Sequence, residues 1–426
     1  MLKYSTGGGL SQGGMSGAVV QEVGSGTPGA TPPYVPKSVG SIQDPTDAMR
    51  NLIQSSDLAF LMEAHDALSA AIAGQAGFAD LWASSPAPDA SFVKLNTNEN
   101  PFALPPLVRA SAVAALERLY LYPEDDNIRL REAAAHAYGL SRDQVIAGNG
   151  SSELLGLIYR AFLAPGDAVA MMSPGFSFNR KLSVLQGAQF LEIGWGEGHS
   201  LPLEKLLFGP AKDAKFILLA NPNNPTGTFV PIAEVERLIA QSDRLIVLDE
   251  AYVDFAPDNA LRLINRYPNL LILRTFSKSY AAAGIRIGLG FGHPEVIGRL
   301  RNIQNVFNMN VIGQAVGISI LAHRSAYDEN HKHVKHERQR VSTALSQLGF
   351  SVTPSHANFL LAHVPAGRDG SWWQALLEQK KILVAVFPDR GLEYCIRVSI
   401  GTKAQMDAFL VAVSDILELS DLEDRP

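Results

Sequence analysis

Cysteine is almost absent: Cys395 is the single one in 426 residues. No disulfide can close within the chain, and a reducing, cytoplasmic setting is expected. No apolar run approaches the roughly 20 residues that a membrane-spanning helix needs. The opening residues MLKYSTGGGLSQGG lack the apolar stretch of a signal peptide. Charge of either sign never runs in a block, and 36 basic against 42 acidic residues leave a formal net charge of -6. That balance removes the electrostatic footprint of a protein that binds nucleic acid or an anionic membrane. No metal site is expected. What remains is a globular composition, 46% apolar, with enough length for two or three domains.

Residues 1–45 are rich in Gly, Ser, Pro and Thr (GGGLSQGGMSG, GSGTPGATPPYVP). They offer few large apolar side chains to offset ordering entropy and predict a disordered leader. A compact piece follows, with LAFLMEAH reading as a strand and DALSAAIAGQAGF as a helix, closed by the linker SSPAPDAS. From about Phe92 short β-rich runs alternate with amphipathic stretches. This predicts an α/β fold in which helices cover both faces of a mainly parallel sheet. The clearest strands are AVAMMS, KFILLA, LIVLDEAYV and NLLILRTF. Beyond about Ala322 a charged helix, ENHKHVKHERQRVSTALSQLG, and short strands, ANFLLAHV and CIRVSI, predict a smaller α+β unit.

In open α/β sheets, chemistry gathers at the carboxyl ends of the parallel strands. Three such ends carry polar motifs: Asn221-Pro-Asn-Asn-Pro-Thr-Gly227 after KFILLA, Asp249-Glu-Ala-Tyr252 after LIVL, and Thr275-Phe-Ser-Lys278 after LLILR. Asp249 closes an apolar run, where a lone carboxylate is costly without a partner. Gly150-Ser151-Ser152-Glu153 follows the strand VIAGN and opens a helix. Its free N–H groups and helix dipole favour an anion, although Ser151 and Ser152 also suit plain N-caps.

Together with Arg286 in SKSYAAAGIR, this ordered set resembles the fold-type I pyridoxal-phosphate aminotransferases of class I/II. Within them, KLNTNENP, GNGSSELL, LYP and IRVSIGT look most like histidinol-phosphate aminotransferases, over about Val93 to Leu417. The resemblance implies a seven-stranded type of sheet and pyridoxal 5'-phosphate as cofactor. It implies a division into an arm at 91–125, a large cofactor-binding domain at 126–320 and a small C-terminal domain at 321–426.

It also implies residue roles. Lys278 carries the cofactor as a Schiff base and shuttles a proton, a task that needs a depressed pKa. Asp249 faces the protonated ring nitrogen, and Tyr252 and Asn224 bond the ring oxygen. Ser151, Ser152, Ser277 and Arg286 take the phosphate, and Phe176 stacks on the ring. Arg397 forks onto the substrate carboxylate, with Asn98 and Asn358 on the substrate side. Tyr122 crosses a homodimer interface to the neighbour's phosphate, giving shared active sites.

Two positions depart from that family. Its usual Arg-Asp pair, which helps to bind a substrate phosphate, falls on Ala385-Val386, and a tyrosine position holds Asn179. Arg390 in FPDRG is the nearest spare cation. The segment Met49–Ser85, within a fragment and linker at 46–90, resembles the start of phosphoenolpyruvate mutase through LMEAHDALSA and GFADLWAS. These features favour amination of phosphonopyruvate to phosphonoalanine, on a small anionic amino acid and 2-oxo acid pair. The alternatives are histidinol-phosphate transamination, decarboxylation of a phosphorylated amino acid on the same cofactor, and a non-catalytic ligand-binding role.

Overall fold

The computed structural model describes residues 91–387 and 391–423. The leader, the mutase-like fragment and Arg390 lie outside the described residues.

The strands are β1 (Val93–Lys94), β2 (Val145–Asn149), β3 (Ala168–Ser173), β4 (Gln189–Gly194), β5 (Phe216–Ala220), β6 (Leu245–Asp249), β7 (Leu270–Thr275), β8 (Ile287–Gly292), β9 (Ser351–Val352), β10 (Phe359–His363), β11 (Ile382–Leu383) and β12 (Cys395–Ser399). The α-helices are α1 (Pro106–Leu116), α2 (Ile128–Tyr138), α3 (Ser151–Phe162), α4 (Phe178–Leu185), α5 (Leu203–Leu207), α6 (Ile232–Gln241), α7 (Pro294–Asn302), α8 (Val311–Ala322), α9 (Asp328–Gln347), α10 (Gly370–Gln379) and α11 (Lys403–Glu423).

Seven strands form one sheet in the order β2-β8-β7-β6-β5-β3-β4. All neighbours are parallel except β8, which is antiparallel to both β2 and β7. Alternation along the central strands explains their continuous apolar runs. Ile246 and Leu248 of β6 join one core cluster while Val247 joins another, and Ile272 and Leu271 of β7 divide in the same way. Both faces of the sheet are therefore dry, as helices on both sides require. Each such side chain contributes roughly 1.5 to 3 kcal/mol when fully buried.

The run LIVLDEAYV does not stay extended to its end. β6 stops at Asp249, whose Oδ1 accepts the N–H of Ala251 at 3.0 Å. This short Asx-type turn competes with the ladder and bends the chain away. A second sheet, in the order β12-β10-β9, is antiparallel and packs with α9, α10 and α11 around Phe359, Trp373 and Phe409.

The reversal at β8 has a direct consequence for the site. Thr275 pairs with Gly288, and Asn149 with Ile287. The ends of β2 and β7 and the start of β8 therefore share one edge, which gathers Gly150, Ser277 and Arg286.

Candidate active site

Arg286 reaches this edge in a left-handed conformation, φ 61°. It donates to Ser277 Oγ at 3.2 Å, and Thr275 Oγ1 donates to the same atom at 3.0 Å. Gly150 has φ 82°, and a Cβ there would run into the Arg286 guanidinium. A Cβ at Gly288 would strike the Gly150–Ser151 backbone. Glycine at both positions lets the start of α3 lie against β8. Gly150 is the N-cap and gives no side-chain cap. Ser151 and Ser152 are therefore the first helical residues rather than caps, and their N–H groups have no intrahelical partner. With the adjacent guanidinium they form a cradle for a dianion.

Lys278 leaves the end of β7 into a dry setting. Its Nζ donates to Thr97 O at 2.8 Å and lies 6.0 Å from the centre of the Tyr252 ring. Burial, reinforced by Arg397 and Arg286 and opposed by Glu99, pulls its pKa down to about 7. Compared with an ordinary lysine, the neutral amine near neutral pH is enriched on the order of a thousandfold. Burial pushes the Asp249 carboxyl up to about 6, Glu250 adding to the rise and the Ala251 N–H opposing it. Beside it, Glu250 is neutralised by Arg274 at 2.8 Å and accepts the Ala260 N–H at 2.7 Å, which fixes the turn after β6.

Arg397, 9% exposed, comes from the middle of β12. Its Nη1 donates to Asn224 Oδ1 at 2.7 Å and its Nη2 to Asn96 O at 2.8 Å. The rings of Phe359 and Phe387 lie 5.4 and 5.2 Å from its guanidinium carbon. Its Nε has no partner among the described residues. Ala385 exchanges both backbone hydrogen bonds with Arg397, so the position beside this guanidinium carries a methyl group and no second cation.

Asn98 is committed on all sides. Its Nδ2 donates to Tyr252 Oη at 3.1 Å, its Oδ1 accepts from Ser399 Oγ at 3.0 Å, and its carbonyl accepts from Asn358 Nδ2 at 3.0 Å. These bonds tie the 96–100 segment to Tyr252 and to the smaller sheet. Asn98 and Asn358 thus hold the site's wall, and the Oδ1 of Asn358 has no partner among the described residues. Burial raises the Tyr252 phenol above its ordinary range. Phe176 is half-buried beside Phe178, their ring centroids 5.9 Å apart.

Tyr122 stands apart. It is 82% exposed and stacked on Phe307 at 4.8 Å, with no hydrogen bond to the cluster among the described residues. Sequence reasoning did not find the carbonyls of Asn96 and Thr97, or Glu99, as partners of Arg397 and Lys278. KLNTNENP marked the segment, but backbone direction leaves no trace in residue type.

The donor set tests well for pyridoxal phosphate. Among the described residues, buried side-chain atoms of Asn96, Thr97, Asn223, Ser279 and Arg397 lack partners, and natural proteins rarely leave such atoms unsatisfied. They lie on the segments that carry Asn224, Lys278 and Arg397, and the same site holds a depressed lysine, a dry carboxylate and a cationic, glycine-lined turn. Those are the demands of an aldehyde, a ring nitrogen and a phosphate.

The family model described as "Aminotransferase class I and II" matches residues 90–413. A histidinol-phosphate aminotransferase 3 of Mesorhizobium japonicum is 77% identical over 342 residues, covering 80% of this chain and 93% of the relative. A histidinol-phosphate aminotransferase of Sinorhizobium fredii is 78% identical over 333 residues, covering 78% and 90%. A crystal structure of histidinol-phosphate aminotransferase from Sinorhizobium meliloti in complex with pyridoxal-5'-phosphate superposes with a TM-score of 0.71 at 29% identity, covering 76% and 90%. An L-threonine-O-3-phosphate decarboxylase from Porphyromonas gingivalis shares the fold alone, with a TM-score of 0.69 at 23% identity over 76% of this chain and 99% of the other.

Proposed function

The chain belongs to the class I and II aminotransferases and uses pyridoxal 5'-phosphate, and on that premise we propose that it interconverts histidinol phosphate and imidazole-acetol phosphate with an amino acid as nitrogen donor. The observation that carries this choice is the high identity to two relatives bearing that activity in their names, over nine-tenths or more of their length. Phosphonopyruvate, which the sequence favoured, gains no support from these relatives. The replacement of the family's arginine by Ala385 and a short mutase-like fragment do not outweigh such identity.

When bound, pyridoxal phosphate supplies an aldehyde that condenses with amines and a protonated ring that draws electrons from the reacting carbon. In this reading the chain's own groups do the rest. Gly150–Ser152, Ser277 and Arg286 bind the phosphate. Asp249, as an anion in a dry site, holds the proton on the ring nitrogen. Tyr252 and Asn224 bond the ring oxygen, and Phe176 covers the ring face. Lys278 Nζ, neutral near pH 7, accepts the proton from the substrate's α-carbon and delivers it to the cofactor side.

Arg397 serves both half-reactions. Glutamate brings a carboxylate to it, while histidinol phosphate has no carboxylate and brings its phosphate ester. With a methyl group at Ala385, the phosphate is met among the described residues by the Arg397 guanidinium, held by Asn224 and the Asn96 carbonyl and flanked by two phenyl rings.

The same proposal includes a homodimer. Leu119, Tyr120, Leu121 and Tyr122 are all about half exposed or more, both tyrosines above 80%. So apolar a surface stretch on a stable globular protein asks for a cover. A second copy covers it and delivers Tyr122 to the partner's phosphate turn.

The test is competition between acceptors. With glutamate as donor, imidazole-acetol phosphate should show a higher kcat/KM than phosphonopyruvate. The reverse ranking would overturn the substrate and leave the aminotransferase standing.

A further inference from the structure

Between the phosphate turn and the exposed aromatic stretch lies a hydrogen-bonded relay that the chemistry above does not use. Glu153 is the one acid in the first turn of α3. A helix N-terminus attracts any anion, so this carboxylate competes with a bound phosphate for the same field. It is held elsewhere. The backbone N–H of Asn149 donates to it, and Asn308 Nδ2 donates to both its oxygens, at 3.1 and 2.9 Å. Asn308 Oδ1 accepts from Asn127 Nδ2 at 2.9 Å.

The backbone makes an effort to put Asn308 there. Phe307 has φ 55°, a conformation that a bulky side chain rarely adopts, while Asn127, at φ 50°, belongs to a residue type that tolerates it better. Phe307 also carries the ring of Tyr122. Strain of this kind persists where the surrounding contacts require it.

We propose that Asn308 is a positioning residue for the cofactor-phosphate site: by clamping Glu153 onto the Asn149 N–H, it fixes the Gly150–Ser152 turn and keeps a negative charge out of it. The proposal rests on reading that turn as the phosphate site. Removing Asn308 deprives the carboxylate of its side-chain donor and leaves it free to turn toward the helix N-terminus that a phosphate must occupy. The penalty falls on ligands that carry a phosphate.

The experiment measures equilibrium binding of pyridoxal 5'-phosphate and of pyridoxal to protein stripped of cofactor. The variants are Asn308→Ala, the near-isosteric Asn308→Asp, and each of these combined with Glu153→Gln. Asn308→Ala should weaken pyridoxal 5'-phosphate on the order of tenfold, the scale of a lost charge-assisted hydrogen bond. Asn308→Asp, which sets a second carboxylate against Glu153, should weaken it further. Pyridoxal binding should not change. Glu153→Gln should restore most of the loss in both backgrounds, because a glutamine oxygen still accepts from Asn149 without bringing charge. Unchanged affinity for pyridoxal 5'-phosphate, equal losses for the two ligands, or no recovery with Glu153→Gln would each overturn the role of Asn308. If the parent protein binds pyridoxal as tightly as its phosphate, the reading of the turn itself falls, and this inference with it.

Discussion

Around Lys278 the chain puts charge where apolar residues belong, and around Tyr122 it puts aromatic rings where polar residues belong. Asp249 and Arg397 are at most 9% exposed, while Tyr120 and Tyr122 exceed 80%. Buried charge and exposed apolar surface are the two departures from ordinary burial that carry information. Each is incomplete, but in opposite senses. The first region has spent its folding energy on holding charges dry, and a ligand of complementary charge repays it. The second leaves apolar surface wet, and another protein surface repays that. Between them the phosphate turn belongs to both, built by one chain's glycines and helix end and, in our proposal, finished by the partner's Tyr122.

Substitutions in the dry region should have the largest effect. Arg397→Lys keeps the charge but loses the planar fork that grips a carboxylate or phosphate. It should lower kcat/KM by about tenfold to a hundredfold, the range for a lost charge-assisted contact. An effect below twofold in steady-state assays with both substrates would mean that the anion binds elsewhere.

Mixed dimers sharpen the comparison, with a gain limited to half of the sites. Tyr122→Phe and Lys278→Ala proteins, each impaired alone, should exchange subunits to give one site with both lesions and one intact site. Activity should then rise above that of the unmixed proteins. No rise after exchange has been demonstrated by mass spectrometry would place Tyr122 in its own subunit's account.

The smallest effect is on stability. The folded pKa of Lys278 lies near 7, below its ordinary value of 10.5. Below pH 7 it is charged in folded and unfolded chains alike, and the folded chain bears the full cost of a buried cation. Between pH 7 and 10.5 the unfolded chain binds the extra proton, so this group's contribution to stability rises with pH. In cofactor-free protein, Lys278→Met should therefore raise Tm at pH 7, with the advantage shrinking as pH climbs toward 10. A constant advantage across that range would contradict the depressed pKa.

The dry region was largely legible in the sequence because its chemistry is written in residue types at strand ends. Asp249 after LIVL, Lys278 after LLILR and Gly150 after VIAGN each combine a strand signal with a residue that a strand end does not need. The reversal of β8, which brings Arg286 to the same edge, was not legible: IGLGFG reads as a strand in either direction. The hydrogen bonds of Asn98 and Asn358 were hidden for a similar reason. The sequence placed them on the substrate side, and the fold adds bonds from Asn98 to Tyr252 and Ser399 and from the Asn358 Nδ2 to the Asn98 carbonyl, which residue type alone did not announce. The preference for phosphonopyruvate was drawn from Ala385 and the mutase-like fragment, and the histidinol-phosphate aminotransferases at 77% and 78% identity support the alternative better. The relay through Asn308 depends on two residues with positive φ, which no side-chain pattern announced.

The central claim is that the buried amine of Lys278 is the group that takes the cofactor's aldehyde, because among the described lysines it combines a dry, cation-flanked setting with access to the phosphate turn and to Arg397. Borohydride reduction of the loaded protein followed by peptide mapping tests this directly. The account predicts that the yellow colour is lost and that a stoichiometric pyridoxyl adduct is found on Lys278. An adduct on another lysine such as Lys94, or none on protein that has been saturated with pyridoxal phosphate, would contradict it.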